Sequence, residues 1–252
     1  MKRIHTIPNQ LYQHLKEYAD TYETKAFLQN DPAWFMHQVT GERNQETLAF
    51  LASCLSYGSR KQFFPKIQNF LDYSHDQPFH WVKDRMFESD IPNDNQCYYR
   101  LYSNHTIYAL LNKLSILINE YGSLYHFIST NIKDKDAFYA IELIVDYFNK
   151  ETEAIPMNAK SSCKRICMYL RWMTRDHSPV DLGIWSKIID KRTLIMPLDT
   201  HVIQEANRLG LMNTSSTTMS VAKRLTAIMK DVFPEDPLKG DFALYGYDIN
   251  HR

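Results

Sequence analysis

The chain of 252 residues contains only seven glycines, a scarcity that argues against an architecture of tight β-hairpins, whose two-residue turns lean on glycine. Cysteine is equally scarce. Cys54, Cys97, Cys163 and Cys167 are too few and too scattered for a disulfide framework. Cys163 and Cys167 stand one helical turn apart, a spacing that suits a metal. No third and fourth ligand lies nearby, so buried thiols are the better reading and neither metal nor cofactor is expected. No apolar run approaches the roughly 20 residues that span a bilayer, and the amino terminus lacks the apolar stretch of a secretory signal. The expectation is a cytoplasmic protein with no membrane partner. Excess charge is missing as well. The 29 basic residues match 29 acidic ones, which removes the easiest argument for a nucleic-acid partner.

What is present points to helices. An apolar fraction of 44% with 13% aromatics describes an ordered globular protein. Helical periodicity runs through Ile7 to Tyr22, Gln45 to Tyr57, Gln62 to Tyr73, Ile107 to Tyr121, Leu124 to Thr130 and Asp136 to Asn149, and no segment alternates cleanly at period two. The pattern breaks around Trp81 to Phe87 and at Ile91-Pro92, and a connection is expected around Ile155-Pro156.

The second half is more specific. Ser161 and Ser162 offer a cap for a helix running to about Thr174, with Cys163, Ile166, Cys167, Leu170 and Met173 as its buried stripe. Lys164, Met168, Arg171 and Arg175 fall on a different face, so this face is expected to present cations in a row. No acid occurs from Ala154 through Arg175, whereas Lys160, Lys164, Arg165, Arg171 and Arg175 all lie there. Such a cluster is either a basic site or a solvated face. Asp199, in Pro197-Leu198-Asp199-Thr200-His201-Val202, reads as the cap of a helix that stops at Gly210, and Met219 to Val232 reads as the last helix.

A lysine at one helix start and an aspartate at another suit amine chemistry. An amine attacks carbon only when neutral, which nearby positive charge favours; Arg165 and the helix dipole supply it. The carboxylate would take a proton or balance positive charge on a sugar as its base departs. The plain alternatives are a solvated lysine and an aspartate that only caps.

Ser161-Ser162-Cys163-Lys164-Arg165-Ile166, followed by Pro197-Leu198-Asp199-Thr200-His201-Val202, resembles the lysine-bearing hairpin and the Pro-x-Asp-x-His-Val segment of the helix-hairpin-helix DNA glycosylase superfamily. The likeness covers Pro156 to Gly246, extends weakly to the helix–turn–helix of Gln45 to Phe70, and is similar to the archaeal 8-oxoguanine glycosylases. A bacterial family carrying the same elements and ending in Asp-Phe-Ala-Leu looks closer still. The resemblance implies a nucleophilic Lys164 and a catalytic Asp199. The superfamily's Gly-x-Gly hairpin is replaced by Asn158-Ala159-Lys160-Ser161-Ser162-Cys163, and no cysteine follows Cys167 to build an iron–sulfur loop.

The expected fold is all-α, two helical lobes around a glycosylase-like core. Peripheral helices occupy about 1–44, one lobe 45–155 and the lobe with the Lys/Asp site 156–252, the two side chains facing each other across a cleft. The expected function is excision of an oxidised, 8-oxoguanine-like base from double-stranded DNA, with strand cleavage, and no obligate protein partner. Lys160, Arg165, Arg171, Arg175 and His201 are the candidate DNA contacts, and Trp172, Trp185 and Phe242 the candidate walls of a base pocket, with core packing as their alternative. A non-catalytic DNA-binding module of the same fold, and a helical interaction protein whose basic helix pairs internally, are the competing readings.

Overall fold

The structure, a computed structural model, describes residues 7–251 and is mostly helical. In chain order the elements begin with α1 (Asn9–Tyr22), α2 (Glu42–Leu55), α3 (Arg60–Ser74), α4 (Pro78–Lys83), β1 (Cys97–Tyr99) and β2 (Tyr102–Ser103). They continue with α5 (Asn104–Tyr121), α6 (Leu124–Asn131), α7 (Ala137–Phe148), α8 (Lys164–Thr174), α9 (Thr200–Arg208), α10 (Met219–Val232) and α11 (Lys239–His251). The chain divides into two compact units. One holds Leu28–Asp134 and Tyr139–Asn158; the other holds the segment up to Phe27, Lys135–Phe138, and the chain from Ala159 onward.

In the first unit α2 is the central element, buried continuously from Glu46 to Leu55. The single charge in that run has a clear use. The Glu46 carboxylate accepts the Leu124 and Tyr125 N–H groups at 3.0 and 2.9 Å, placing an anion on the otherwise unmet donors at the start of α6. Helix α5 starts where the Ser103 hydroxyl accepts the Thr106 N–H and ends on Gly122 in the left-handed region at φ 89°.

Two features here depart from the periodicity. A short helix, α4, fills part of the stretch where the pattern breaks, started by Pro78. A two-stranded hairpin, β1–β2, turns without glycine, with Arg100 at φ 52°. Long-range contacts hold it in place of turn chemistry. The Arg100 guanidinium lies 5.7 Å from the Tyr57 ring centre, the Tyr57 hydroxyl donates to the Tyr99 carbonyl, and the Tyr99 hydroxyl donates back to that of Tyr57.

The second unit is assembled around α11, which packs on α1, α9 and α10. Gly246 lets α1 approach, since a Cβ there would lie 2.1 Å from the Tyr22 ring. The expected stripe of α8 is buried, with Cys163, Ile166, Cys167, Leu170 and Met173 all at 3% exposure or less. Its opposite face, expected to meet solvent, is buried as well: Met168, Arg171 and Arg175 are 8%, 3% and 1% exposed. The segment after α8 folds back over its end. Trp172 O accepts the Leu182 N–H at 2.8 Å and Met173 O accepts the Trp185 N–H at 2.6 Å. Gly183 makes that return possible, at φ 68° and with a Cβ position only 2.7 Å from the Asp176 Cα. Trp172, Trp185 and Phe242 are each 0% exposed. They are core side chains rather than walls of an open base pocket, and Trp185 meets Tyr169 edge-on at 5.2 Å.

Candidate active site at Lys164 and Asp199

Lys164 is the first residue of α8 and follows Cys163, which sits at φ 46° with no side-chain cap; the serine cap expected from Ser161 or Ser162 is not formed. The turn before it is fixed from outside. Ser161 bridges to Thr218, and the Lys160 carbonyl accepts the Met219 N–H at 3.1 Å, so the start of α8 is tied to the start of α10.

Asp199 is the cap of α9, as its place in the sequence predicts. Its two oxygens divide the work. Oδ1 accepts the Val202 N–H at 2.9 Å, and Oδ2 lies 2.7 Å from Lys164 Nζ. The carboxylate is thus fixed by backbone at one oxygen and meets the amine with the other. The side chains of Lys164 and Asp199 are 34% and 26% exposed, so the pair opens to solvent on one side. Burial pushes the Asp199 carboxyl up. The Lys164 charge and hydrogen bond, the Val202 N–H and nearby His201 together outweigh it and hold the group below the usual carboxylate range. Lys160, in the turn before α8, and His201, on α9, are exposed, and Arg165, on α8, is half-buried.

Arg171 and Arg175 require a correction, because expected phosphate contacts turn out to be buried charges with carboxylate partners. Arg171 donates from Nε to Asp181 at 3.2 Å and from Nη1 to Asp241. Arg175 donates to Asp181, to both oxygens of Asp236 at 2.8–3.0 Å, and to Glu23 at 2.7 Å. Both guanidiniums also lie over the Phe242 ring, at 4.8 and 5.2 Å. Burial opposes the Arg175 charge, but Asp181, Asp236 and Glu23 outweigh it and bind its proton more tightly than usual. Asp181 follows Arg175 by only 6 residues, but Glu23, Asp236 and Asp241 come from far along the chain, which a scan for local charge runs does not reveal. The same blindness hid Asp241, in the first turn of α11 and 18% exposed. Burial pushes its carboxyl up, Arg171 pulls it down, and Asp199 pushes it up further, which places it within electrostatic reach of the Lys164 pair.

The geometry defines a mostly helical protein with a half-open amine–carboxylate pair beside a buried arginine–carboxylate network. The chain belongs to the family described as "Protein of unknown function (DUF2400)", whose model matches residues 31–250. That match replaces the helix-hairpin-helix glycosylase superfamily suggested by the Lys164 and Asp199 segments, since no glycosylase family matches. Two short motifs carried that likeness, whereas the family model spans nearly the whole chain. No curated protein and no solved structure matches the chain.

Proposed function

We propose that the protein is a DNA glycosylase with lyase activity, Lys164 being the amine nucleophile and Asp199 its carboxylate partner. The observation that carries this reading is the 2.7 Å contact between Lys164 Nζ and Asp199 Oδ2, with Asp199 held by its own helix and the pair partly open to solvent. Asp199 accepts a proton from the Lys164 ammonium. The freed electron pair on Nζ forms a bond to the sugar C1′ while the bond from C1′ to the base breaks, its electrons leaving with the base, which takes up a proton. Loss of the ring oxygen from C1′ then gives an imine, from which elimination cleaves the strand. Lys160, Arg165 and His201 are the proposed phosphate contacts, Arg171 and Arg175 being paired with carboxylates instead.

That internal engagement favours one second reading, a helical interaction protein with no nucleic-acid role, in which the basic helix is simply a structural strut.

Borohydride trapping on a panel of lesion-bearing duplexes, 8-oxoguanine among them, separates the readings. The proposed enzyme yields a covalent protein–DNA adduct that Lys164→Gln abolishes and Lys160→Gln retains. Binding without product on any lesion marks a non-catalytic module, and absence of binding marks the interaction protein. An adduct that survives in Lys164→Gln overturns the nucleophile assignment.

A further inference from the structure

Burial of Arg171 and Arg175 takes two cations out of the acid-free stretch from Ala154 through Arg175, and the fold brings others to its start from a second such stretch. No acid occurs from Ala206 through Lys230. The basic residues there are Arg208, which pairs with Glu205, and Lys223, Arg224 and Lys230, all on α10. Helix α10 buries Met219, Ala222, Leu225, Thr226 and Met229. Its exposed stripe is Ser220, Lys223, Arg224 and Ala227, so the two cations face solvent together.

Backbone contacts set this stripe beside the turn that presents Lys164. Ser161 pairs with Thr218, and the Lys160 carbonyl accepts the Met219 N–H at 3.1 Å, so α10 starts where the chain enters α8. Lys223 and Arg224 follow Thr218 within two helical turns, about 8–9 Å along an axis that rises about 1.5 Å per residue. The loop before α10 is tied to α9 as well. Asn207 Nδ2 donates to the Thr214 carbonyl at 2.7 Å, and Asn207 Oδ1 accepts the Thr214 N–H at 3.1 Å. One continuous segment thus anchors the start of α10 to the helix that Asp199 caps and to the turn before Lys164. Lys223 Nζ lies 3.1 Å from the centre of the Phe138 ring, which holds the ammonium in place before a partner arrives and lowers the entropy lost on binding. All of these residues belong to the second unit.

We infer that the exposed stripe of α10, through Lys223 and Arg224, forms with Lys160 the surface that holds the sugar–phosphate backbone of double-stranded DNA beside the Lys164–Asp199 pair. This rests on the DNA reading above and adds α10 to its phosphate contacts. Cations on two elements locked together by backbone suit a row of phosphates, and a stretch without acids offers the strand no repulsion. Ser220, one turn before Arg224, adds a hydroxyl donor. Such contacts read no sequence; they fix where the strand lies relative to the amine.

Fluorescence anisotropy of an undamaged duplex over a series of salt concentrations tests this without catalysis. Each phosphate contact contributes about 0.9 to the slope of log K against log salt, so Arg224→Gln should lower the slope by about 0.9 and the double variant Lys223→Gln with Arg224→Gln by about 1.8. Lys230→Gln, an exposed cation further along α10, should leave it unchanged. Because Lys223 also packs on Phe138, the single Arg224→Gln variant carries the test if the double variant melts early. An unchanged slope in Arg224→Gln, an equal loss in Lys230→Gln, or an unmodified protein that binds no duplex overturns the proposal. Borohydride trapping separates this from the lyase reading. The double variant should still form the adduct through Lys164, but only at higher protein concentration. If the slopes fall as expected and no lesion gives an adduct with the unmodified protein, the α10 surface stands and the lyase reading falls.

Discussion

Asp181 shows how much of the second unit's stability hangs on single charges. Its side chain is 0% exposed and each oxygen meets a different arginine. Asp181→Ala should therefore cost about 3–5 kcal/mol, the scale for stranding a buried charge, read as a shift in the denaturant midpoint with unchanged slope. Arg171→Ala and Arg175→Ala should destabilise comparably yet leave the salt dependence of any DNA binding unchanged. The opposite pattern, a lowered salt slope with intact stability, would mean that these side chains reach phosphates after all. Charge type and helical spacing made the row Lys164, Arg171, Arg175 legible in the sequence, because these depend on neighbours three to seven residues away. Its burial was not legible, since the partners Glu23 and Asp236 lie 152 and 61 residues from Arg175.

At the scale of the element, α9 ties helix formation to the candidate chemistry through one carboxylate. Asp199→Asn keeps an acceptor for the Val202 N–H but loses the ion pair with Lys164, worth about 1 kcal/mol or less in this half-open position. The pH dependence has a definite sign. The Asp199 carboxyl is held below its usual range in the fold, so its contribution is complete above the unfolded value of about 3.9 and is lost as pH falls through the folded value. The stability difference between the unmodified protein and Asp199→Asn, followed by thermal melts from neutral to acid pH, should shrink in that window. A difference that is constant with pH would remove the ion pair from the account. Helices with regular stop signals, such as α9 and α10, were legible to within a residue or two because Asp199, Gly210 and Val232 mark local chemistry. The β1–β2 hairpin and α11 were not. Arg100 turns the hairpin at φ 52° without the glycine that would have signalled it, and α11 owes its place to packing on α1 and α9 rather than to a strong apolar stripe of its own.

The second unit as a whole depends on distant parts of the chain meeting. Helix α1 lies against α11, with Gly246 under the Tyr22 ring and Tyr18 edge-on to Tyr247 at 5.3 Å. Gly246→Ala should overpack this contact and cost about 1–3 kcal/mol, seen as a lowered melting temperature, whereas Gly210→Ala, with nothing within 4 Å of its added Cβ, would be penalised only through its backbone at φ 71°. Equal stability of Gly246→Ala and the unmodified protein would show that α1 yields easily. The arginine network carries a consequence for the order in which the chain is made. Arg171 and Arg175 leave the ribosome well before their partners, Asp241 following 70 residues after Arg171 and Asp236 61 residues after Arg175. Until then α8 would have to bury two guanidiniums with Asp181 and Glu23 alone. Nascent chains halted before Asp236 should therefore keep α8 open to protease, and the helix that carries Lys164 settles only once Asp236 and Asp241 have been made.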